Sequence, residues 1–213
     1  MHVLACIVIG YIIGTVNPSY IFSRIKGFDI RSKGSGNAGA SNAVIVFGKA
    51  VGIFCAIFDI MKAYFAIWIV KSLFPTFALA FALTGAACIL GHIFPFYMKF
   101  RGGKGLACLG GTILVFDWRV FLIMLAAELV IVLLTKYICF VPMTASFIFT
   151  LIYGLMKHDV IGSLIFLLVS VVILIKHIEN IKRIRLGVEA RISMLWNKEK
   201  EIERVKRNIE KLS

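Results

Sequence analysis

Apolar residues in this chain fall into long blocks rather than into two-residue alternation or a single 3.6-residue stripe. An uncharged run covers about residues 3–23, and further apolar runs follow at about 50–70, 73–91, 105–116, 119–135, 137–156 and 160–175. A helix that crosses a bilayer needs about 20 predominantly apolar residues. The pattern therefore predicts an all-α, polytopic membrane protein with about seven transmembrane helices. The fourth run is too short to span, since about 12 residues rise only about 18 Å, and it predicts a half-depth or re-entrant helix. The first run lacks a basic flank and exceeds the apolar stretch of a cleavable signal, so it is expected to stay as the first span.

Composition agrees with this reading. Hydrophobic residues make up 60% of the 213 and charged residues 16%, with a mean hydropathy of +0.93. Soluble domains run nearer about 45–50% apolar and about 25% charged. A water-soluble enzyme, a nucleic-acid reader and a secreted disulfide scaffold are thereby excluded. The five cysteines, Cys6, Cys55, Cys88, Cys108 and Cys139, lie in or beside apolar runs without C-x-x-C spacing. They read as small buried hydrophobes.

The net charge of +13 orients the chain. With seven spans, 20 of the 24 Lys and Arg residues fall on the side of the 24–49 loop, the 92–104 loop, Lys136 and the tail, and three fall opposite, at Lys71, Arg119 and Lys157. The positive-inside rule then places the N-terminus outside and the C-terminus in the cytoplasm. Residues 1–192 form one membrane domain, and 193–213 form a basic amphipathic cytoplasmic tail. In the tail, Ile202, Val205, Ile209 and Leu212 make one apolar stripe suited to the membrane surface.

Three polar elements fall on the basic side. The first is Gly34-Ser35-Gly36-Asn37-Ala38-Gly39-Ala40-Ser41-Asn42. Its G-x-G-x-x-G spacing has no preceding strand, so it is not a dinucleotide fingerprint, but glycine-rich backbone before a helix suits an anion. The second is Gly91-His92-Ile93-Phe94-Pro95, followed by Phe100-Arg101-Gly102-Gly103-Lys104-Gly105. It fails the Walker pattern, yet it places an ammonium among glycines in a loop expected to be solvated, where it can meet a phosphate as a point charge. The third is Lys176-His177-Ile178-Glu179-Asn180-Ile181-Lys182-Arg183, then Gly187-Val188-Glu189. If the last span continues, His177 and Asn180 share a helix face. Within the second span, Asp59 and Lys62 stand i, i+3 apart and are expected to pair or to face a polar cavity, because a lone charge in lipid is costly. Glu128, inside the fifth span, reads as a buried, hydrogen-bonded acid.

Together these blocks resemble the bacterial integral-membrane glycerol-3-phosphate acyltransferases that use acyl phosphate as donor. The shared blocks are Gly14-Thr15-Val16-Asn17, residues 34–42, Asp59 with Lys62, residues 91–95, residues 100–105, residues 177–183 and residues 187–189, in order. The resemblance implies seven helices and transfer of a fatty acyl group to the sn-1 hydroxyl of glycerol 3-phosphate. It implies His177, Asn180, Lys104 and Ser35 as catalytic residues. Gly34, Ser35, Gly36, Asn37, Gly39, Asn42, Arg101, Gly102, Gly103 and Lys104 would hold phosphate. Asp59, Lys62, His92, Arg183 and Glu189 would support them. Either His177 or a substrate phosphate oxygen would take the hydroxyl proton. The implied partners are glycerol 3-phosphate, fatty acyl phosphate and membrane lipid, with no cofactor, metal or nucleic acid, and the chain is expected to act as a monomer in a bacterial plasma membrane.

The chain departs from the family pattern at several places. Ile45 stands where arginine is usual, and the 136–142 stretch has no serine. Ala63 replaces a glycine, Thr15 a serine, and Cys108 a common threonine. A small transporter or channel for phosphorylated solutes, with Asp59, Lys62 and Glu128 along its path, and a non-catalytic paralogue are the competing readings.

The charge asymmetry makes a topological prediction. In a cysteine-free background, Asn37→Cys and Lys104→Cys should react with an impermeant thiol reagent only after the membrane is opened, whereas His2→Cys should react on intact cells. Labelling of Asn37→Cys from outside would reverse the assigned orientation.

Overall fold

The computed structural model describes residues 1–211, and these form helices and connecting loops with no strand among them. Six helical stretches are long and apolar enough to cross a membrane: His2–Ile25, Lys49–Leu73, Ala80–Met98, Trp118–Thr135, Phe140–Lys157 and Val160–Arg185. Leu106–Phe116 is a shorter apolar helix. The all-α, multi-pass architecture is therefore the one the hydropathy predicts. Among the described residues ten α-helices make it up: α1 (His2–Thr15), α2 (Pro18–Ile25), α3 (Ala40–Phe47), α4 (Lys49–Leu73), α5 (Ala80–Ile93), α6 (Leu106–Phe116), α7 (Trp118–Thr135), α8 (Phe140–Lys157), α9 (Val160–Arg185) and α10 (Lys198–Glu210). With 11 residues, α6 rises only about 16 Å, the short element expected from its length.

Three boundaries differ from the apolar runs, each for a local reason. The first run is not one helix. Val16 and Asn17 adopt extended backbone between α1 and α2, the Asn17 side chain accepts from the Tyr20 N–H at 2.9 Å, and Pro18 opens α2. An Asn cap followed by proline is a helix start, and it cuts the run in two. The third run was expected from residue 73, but residues 74–79, which include Pro75, form a connection and α5 begins at Ala80. The last helix continues well past residue 175, to Arg185, and carries His177 and Asn180 on it.

Close approach of backbones holds α1 against α5. A Cβ on Gly10 would lie 2.6 Å from the Thr84 carbonyl oxygen, one on Gly14 would lie 2.2 Å from that of Cys88, and one on Gly91 would lie 2.4 Å from that of Tyr11. Small residues let membrane helices meet at this range, where dispersion rather than water drives association. Tyr11 also donates to the Phe94 carbonyl at 2.8 Å. Away from the basic loops, Phe81, Phe116, Phe149, Tyr153 and Phe166 pack ring to ring, with centroids 5.1 Å apart for Phe149–Phe166 and 5.0 Å for Tyr153–Phe166. This joins α5, α6, α8 and α9. By contrast α7 buries only Met124, Glu128 and Val132, a single i, i+4, i+8 stripe, and turns Ile123, Leu125 and Leu134 outward. The outward faces are what lipid would cover. Glu128 is bonded to the Thr144 hydroxyl at 2.8 Å, as a buried acid requires.

The charged pair in α4 is closed on itself. Lys62 Nζ lies 2.6 Å from Asp59 Oδ1 and 3.1 Å from His92 Nδ1, and it donates to the Val16 carbonyl at 2.6 Å. All three side chains are buried. The Val16 carbonyl is free to accept because the α1–α2 break removes its helical partner. One ammonium thus ties α4, α5 and the break together.

Removing one partner of a buried pair leaves the other charge uncompensated, at a cost of about 3–5 kcal/mol. Lys62→Met should lower the thermal midpoint of the detergent-purified protein sharply. An unchanged midpoint would show that the pair does not hold the bundle.

Candidate active site

The C-terminal end of α9 and the 100–105 loop meet at Lys104. The Lys104 ammonium donates to Asn180 Oδ1, and the Asn180 amide donates to Glu189 Oε1 at 2.6 Å. Glu189 Oε2 receives Arg183 Nε at 2.7 Å. Glu189 reaches back to α9 because the helix ends in a glycine turn. Gly187 takes φ +71°, its N–H bonds the Ile184 carbonyl at 2.9 Å, and the Val188 N–H bonds that of Arg183 at 2.9 Å. This is the left-handed helix stop that glycine permits. The G-x-E spacing is thereby explained: the glycine reverses the chain and the acid two residues on lands beside Asn180 and Arg183. Lys104 was expected in a solvated loop but is partly buried. Burial first, and the Arg183 charge next, hold its pKa below that of a free lysine.

His177 lies one turn before Asn180 and is 2% exposed. Its Nδ1 is 2.7 Å from the Ile173 carbonyl oxygen. A carbonyl only accepts, so Nδ1 carries the proton of the neutral ring and Nε2 is left with a lone pair. The helix backbone therefore presets the tautomer a general base needs.

The 34–42 loop is knitted from within. Asn42 accepts the Ser35 N–H at 2.7 Å and donates to the carbonyls of Asn37, Lys33 and Ile30 at 2.8, 3.0 and 3.1 Å. Its side chain is thus occupied with shaping the loop, and Gly34, Ser35 and Gly36 stay exposed at the rim while Asn37 is half-buried and Gly39 buried. Gly34 and Gly36 take positive φ, at 61° and 75°. Gly39 starts α3, so the turn leads into a helix N-terminus. Two ties fix this loop to the rest. Asn17 Nδ2 donates to the Ala38 carbonyl at 2.9 Å, and Arg31, gripped by Asp29, donates to the carbonyls of Met98 and Arg101 at 2.7 and 3.0 Å. The Arg31 hydrogen bond is the main force lowering the Asp29 pKa. Asn17 and Arg31 were missed as organising residues; an Asn before Pro and a D-x-R spacing were the available signals.

Gly102 and Gly103 serve packing as well as approach. Their N–H groups bond the Ile93 and His92 carbonyls, each at 3.0 Å, and a Cβ on Gly103 would lie 2.0 Å from His92 Nε2. The loop thus rests on the His92 ring, which rests on Lys62 and Asp59. Asp59, His92 and Cys108 have ligand atoms within 4.8 Å of one another, but the Lys62 ammonium already supplies positive charge to Asp59 and contacts His92. The Arg101 side chain is exposed beside this loop.

A family model described as glycerol-3-phosphate acyltransferase matches residues 4–187. This chain belongs to the glycerol-3-phosphate acyltransferase family. It is 38% identical to glycerol-3-phosphate acyltransferase 2 of Thermotoga maritima over 188 residues, covering 88% of this chain and 95% of that protein. The Bacillus subtilis glycerol-3-phosphate acyltransferase is 32% identical over 204 residues, covering 92% and 100%. The crystal structure of PlsY (YgiH), an integral membrane glycerol 3-phosphate acyltransferase in its glycerol 3-phosphate form, superposes with a TM-score of 0.82 at 28% identity, covering 91% of this chain and 96% of that one. Its lysophosphatidic acid form gives 0.78 over 89% and 94%.

Within this acyltransferase scaffold the departures can now be placed. Ile45 lies on α3 with its Cγ2 methyl 3.2 Å from where a Cβ on Gly34 would be, next to the exposed turn. Cys139 is buried near Glu189 and Lys104, and burial, then Glu189, pushes its thiol up to about 11, so it stays neutral. All five cysteines are free and buried, as their apolar settings suggested.

The Gly103 contact makes a test of the support beneath Lys104. Gly103→Ala should displace His92 or the loop and lower activity by at least about 10-fold, since small misplacements at a site are amplified in rate. Wild-type activity would show that the loop does not need this approach.

Proposed function

We propose that the protein transfers a fatty acyl group from acyl phosphate to the sn-1 hydroxyl of glycerol 3-phosphate, at the cytoplasmic face of a bacterial plasma membrane. The reading rests on the family and, at the site, on one observation: Lys104, Asn180, Glu189 and Arg183 form a single hydrogen-bonded chain beside an imidazole whose Nδ1 is held by the Ile173 carbonyl. In this reaction His177 Nε2 takes the hydroxyl proton while the hydroxyl oxygen bonds the acyl carbon. The acyl carbon–phosphate oxygen bond breaks, and the departing phosphate carries the electron pair and later the proton. Lysophosphatidate and inorganic phosphate result. Lys104, Arg101 and the 34–39 backbone neutralise the two phosphates, which would otherwise repel each other. A mixed anhydride has a good leaving group, so positioning carries most of the catalysis.

A transport path is the weaker alternative. Its candidate polar residues are committed elsewhere, Asp59 to Lys62 and Glu128 to Thr144.

The deciding assay is purified protein with palmitoyl phosphate and labelled glycerol 3-phosphate, read as lysophosphatidate. Lys104→Met should lower kcat/KM by about 10- to 150-fold, the worth of one charge-assisted contact of about 1.5–3 kcal/mol. Because the Lys104 pKa is depressed, the wild-type KM for glycerol 3-phosphate should rise at a lower alkaline pH than an ordinary lysine would give. Wild-type kinetics in Lys104→Met would remove it from the site.

A further inference from the structure

The family match ends at Gly187, and the chain beyond it folds back on the site. One face of α10 carries Glu201, Arg204 and Asn208, spaced i, i+3, i+7. Arg204 donates to the Gly187 carbonyl at 2.6 Å and to the Glu189 carbonyl at 2.7 Å, and Asn208 Nδ2 adds a bond to Gly187 at 2.8 Å. Glu201 holds the guanidinium at 2.7 Å, accepts the Arg191 N–H at 2.9 Å and accepts the Ser193 hydroxyl at 3.1 Å. The backbone on both sides of Glu189, at residues 187, 189 and 191, is therefore gripped by one helix face. The grip is screened: the Arg204 and Glu201 side chains are only 15% and 6% exposed. Burial disfavours the Glu201 charge, but its bonds to Arg204, Arg191 and Ser193 outweigh that and keep it ionised.

We propose that α10 is a positioning clamp for the active site, with Arg204 as its principal residue. Arg204 does not touch substrate. It fixes the backbone of Glu189, whose carboxylate orients Asn180 and Arg183, and Asn180 in turn takes Lys104. Apart from the clamp, the segment after Gly187 is tied by its backbone bonds to the end of α9 and by the Ile192 bond to the Lys136 carbonyl at 2.8 Å. A planar fork suits this task because it meets two carbonyls and a carboxylate at once. The α10 stripe of Ile202, Val205 and Ile209, expected on the membrane, lies on the helix that makes these bonds; Leu212 falls outside the described residues.

The clamp rests on the acyltransfer reading only for its kinetic test. In the full-length protein, Arg204→Gln should lower kcat/KM about 10-fold, within the roughly 10²-fold that misplacing a catalytic group by about 1 Å can cost. Arg204→Lys, which keeps the charge but not the fork, should recover part of the loss. In a Glu189→Gln background, Arg204→Gln should add less than about 2-fold, whereas in a Ser35→Ala background its effect should multiply in full. Hydrogen exchange at the Arg191 amide, which Glu201 accepts at 2.9 Å, should quicken in Arg204→Gln whether or not lysophosphatidate is made. An inactive wild-type protein would therefore refute the acyltransfer reading and leave exchange to judge the clamp. Unchanged exchange in Arg204→Gln, or a loss that multiplies with Glu189→Gln, would overturn it.

Discussion

The ammonium of Lys62 lies within a helix that crosses the membrane, where no water can solvate it, and everything at the basic end of the molecule is arranged to meet its three donors. Asp59 supplies the countercharge from one turn earlier on α4, the interrupted first helix supplies the Val16 carbonyl, and α5 supplies His92. Lipid offers no substitute partner, so these groups must converge for the chain to fold with the charge buried. Once they do, the His92 ring becomes the platform on which Gly103 lies, one residue from Lys104. The position of Lys104 is thus tied to the satisfaction of a different lysine within the bundle.

A second consequence concerns backbone. The site is built less from side chains reaching into a cleft than from main chain brought unusually near. Gly102 and Gly103 bond across the end of α5, Gly187 stops α9, and Asn42 takes over the carbonyls of a loop that has no regular structure of its own. Buried or constrained loops need such partners because unpaired backbone groups are costly. The outcome is a rigid rim with exposed N–H-bearing glycine turns, which is what binding of an anion by main chain requires. Arg31 and Asn17 then tie the two loops to each other and to the helix break.

The chain of Lys104, Asn180, Glu189 and Arg183 also changes how charge is used. A lysine in a solvated loop would be a screened point charge. Here burial and a neighbouring guanidinium depress its pKa, while Asn180 aims it. The neutral tautomer of His177 is set by the α9 backbone rather than by a carboxylate. Positive charge therefore sits on Lys104 and Arg183, while the backbone bond at Nδ1 favours a neutral His177 ring beside them. The thiol of Cys139, neutral and buried at the same place, adds no charge to this balance.

The sequence by itself determined the membrane class, the all-helical fold and the candidate residues, because hydropathy blocks and motif spacing are local properties of the chain. Asp59 and Lys62 could be read as a pair from i, i+3 spacing, and Glu128 as a bonded acid from its isolation in an apolar run. Residues 14–17 were visible as a block, but that Asn17 breaks the first span, and that the freed Val16 carbonyl receives Lys62, depended on two helices meeting. Only the tertiary structure decided that Gly102 and Gly103 pack on His92, that Asn42 shapes its loop, and that Lys104 is partly buried on Asn180. It alone showed that Arg204 and Asn208, in a tail that reads as surface charge, grip the segment bearing Glu189. Such contacts join residues tens of positions apart, and no periodicity in the chain encodes which distant carbonyl a guanidinium will find.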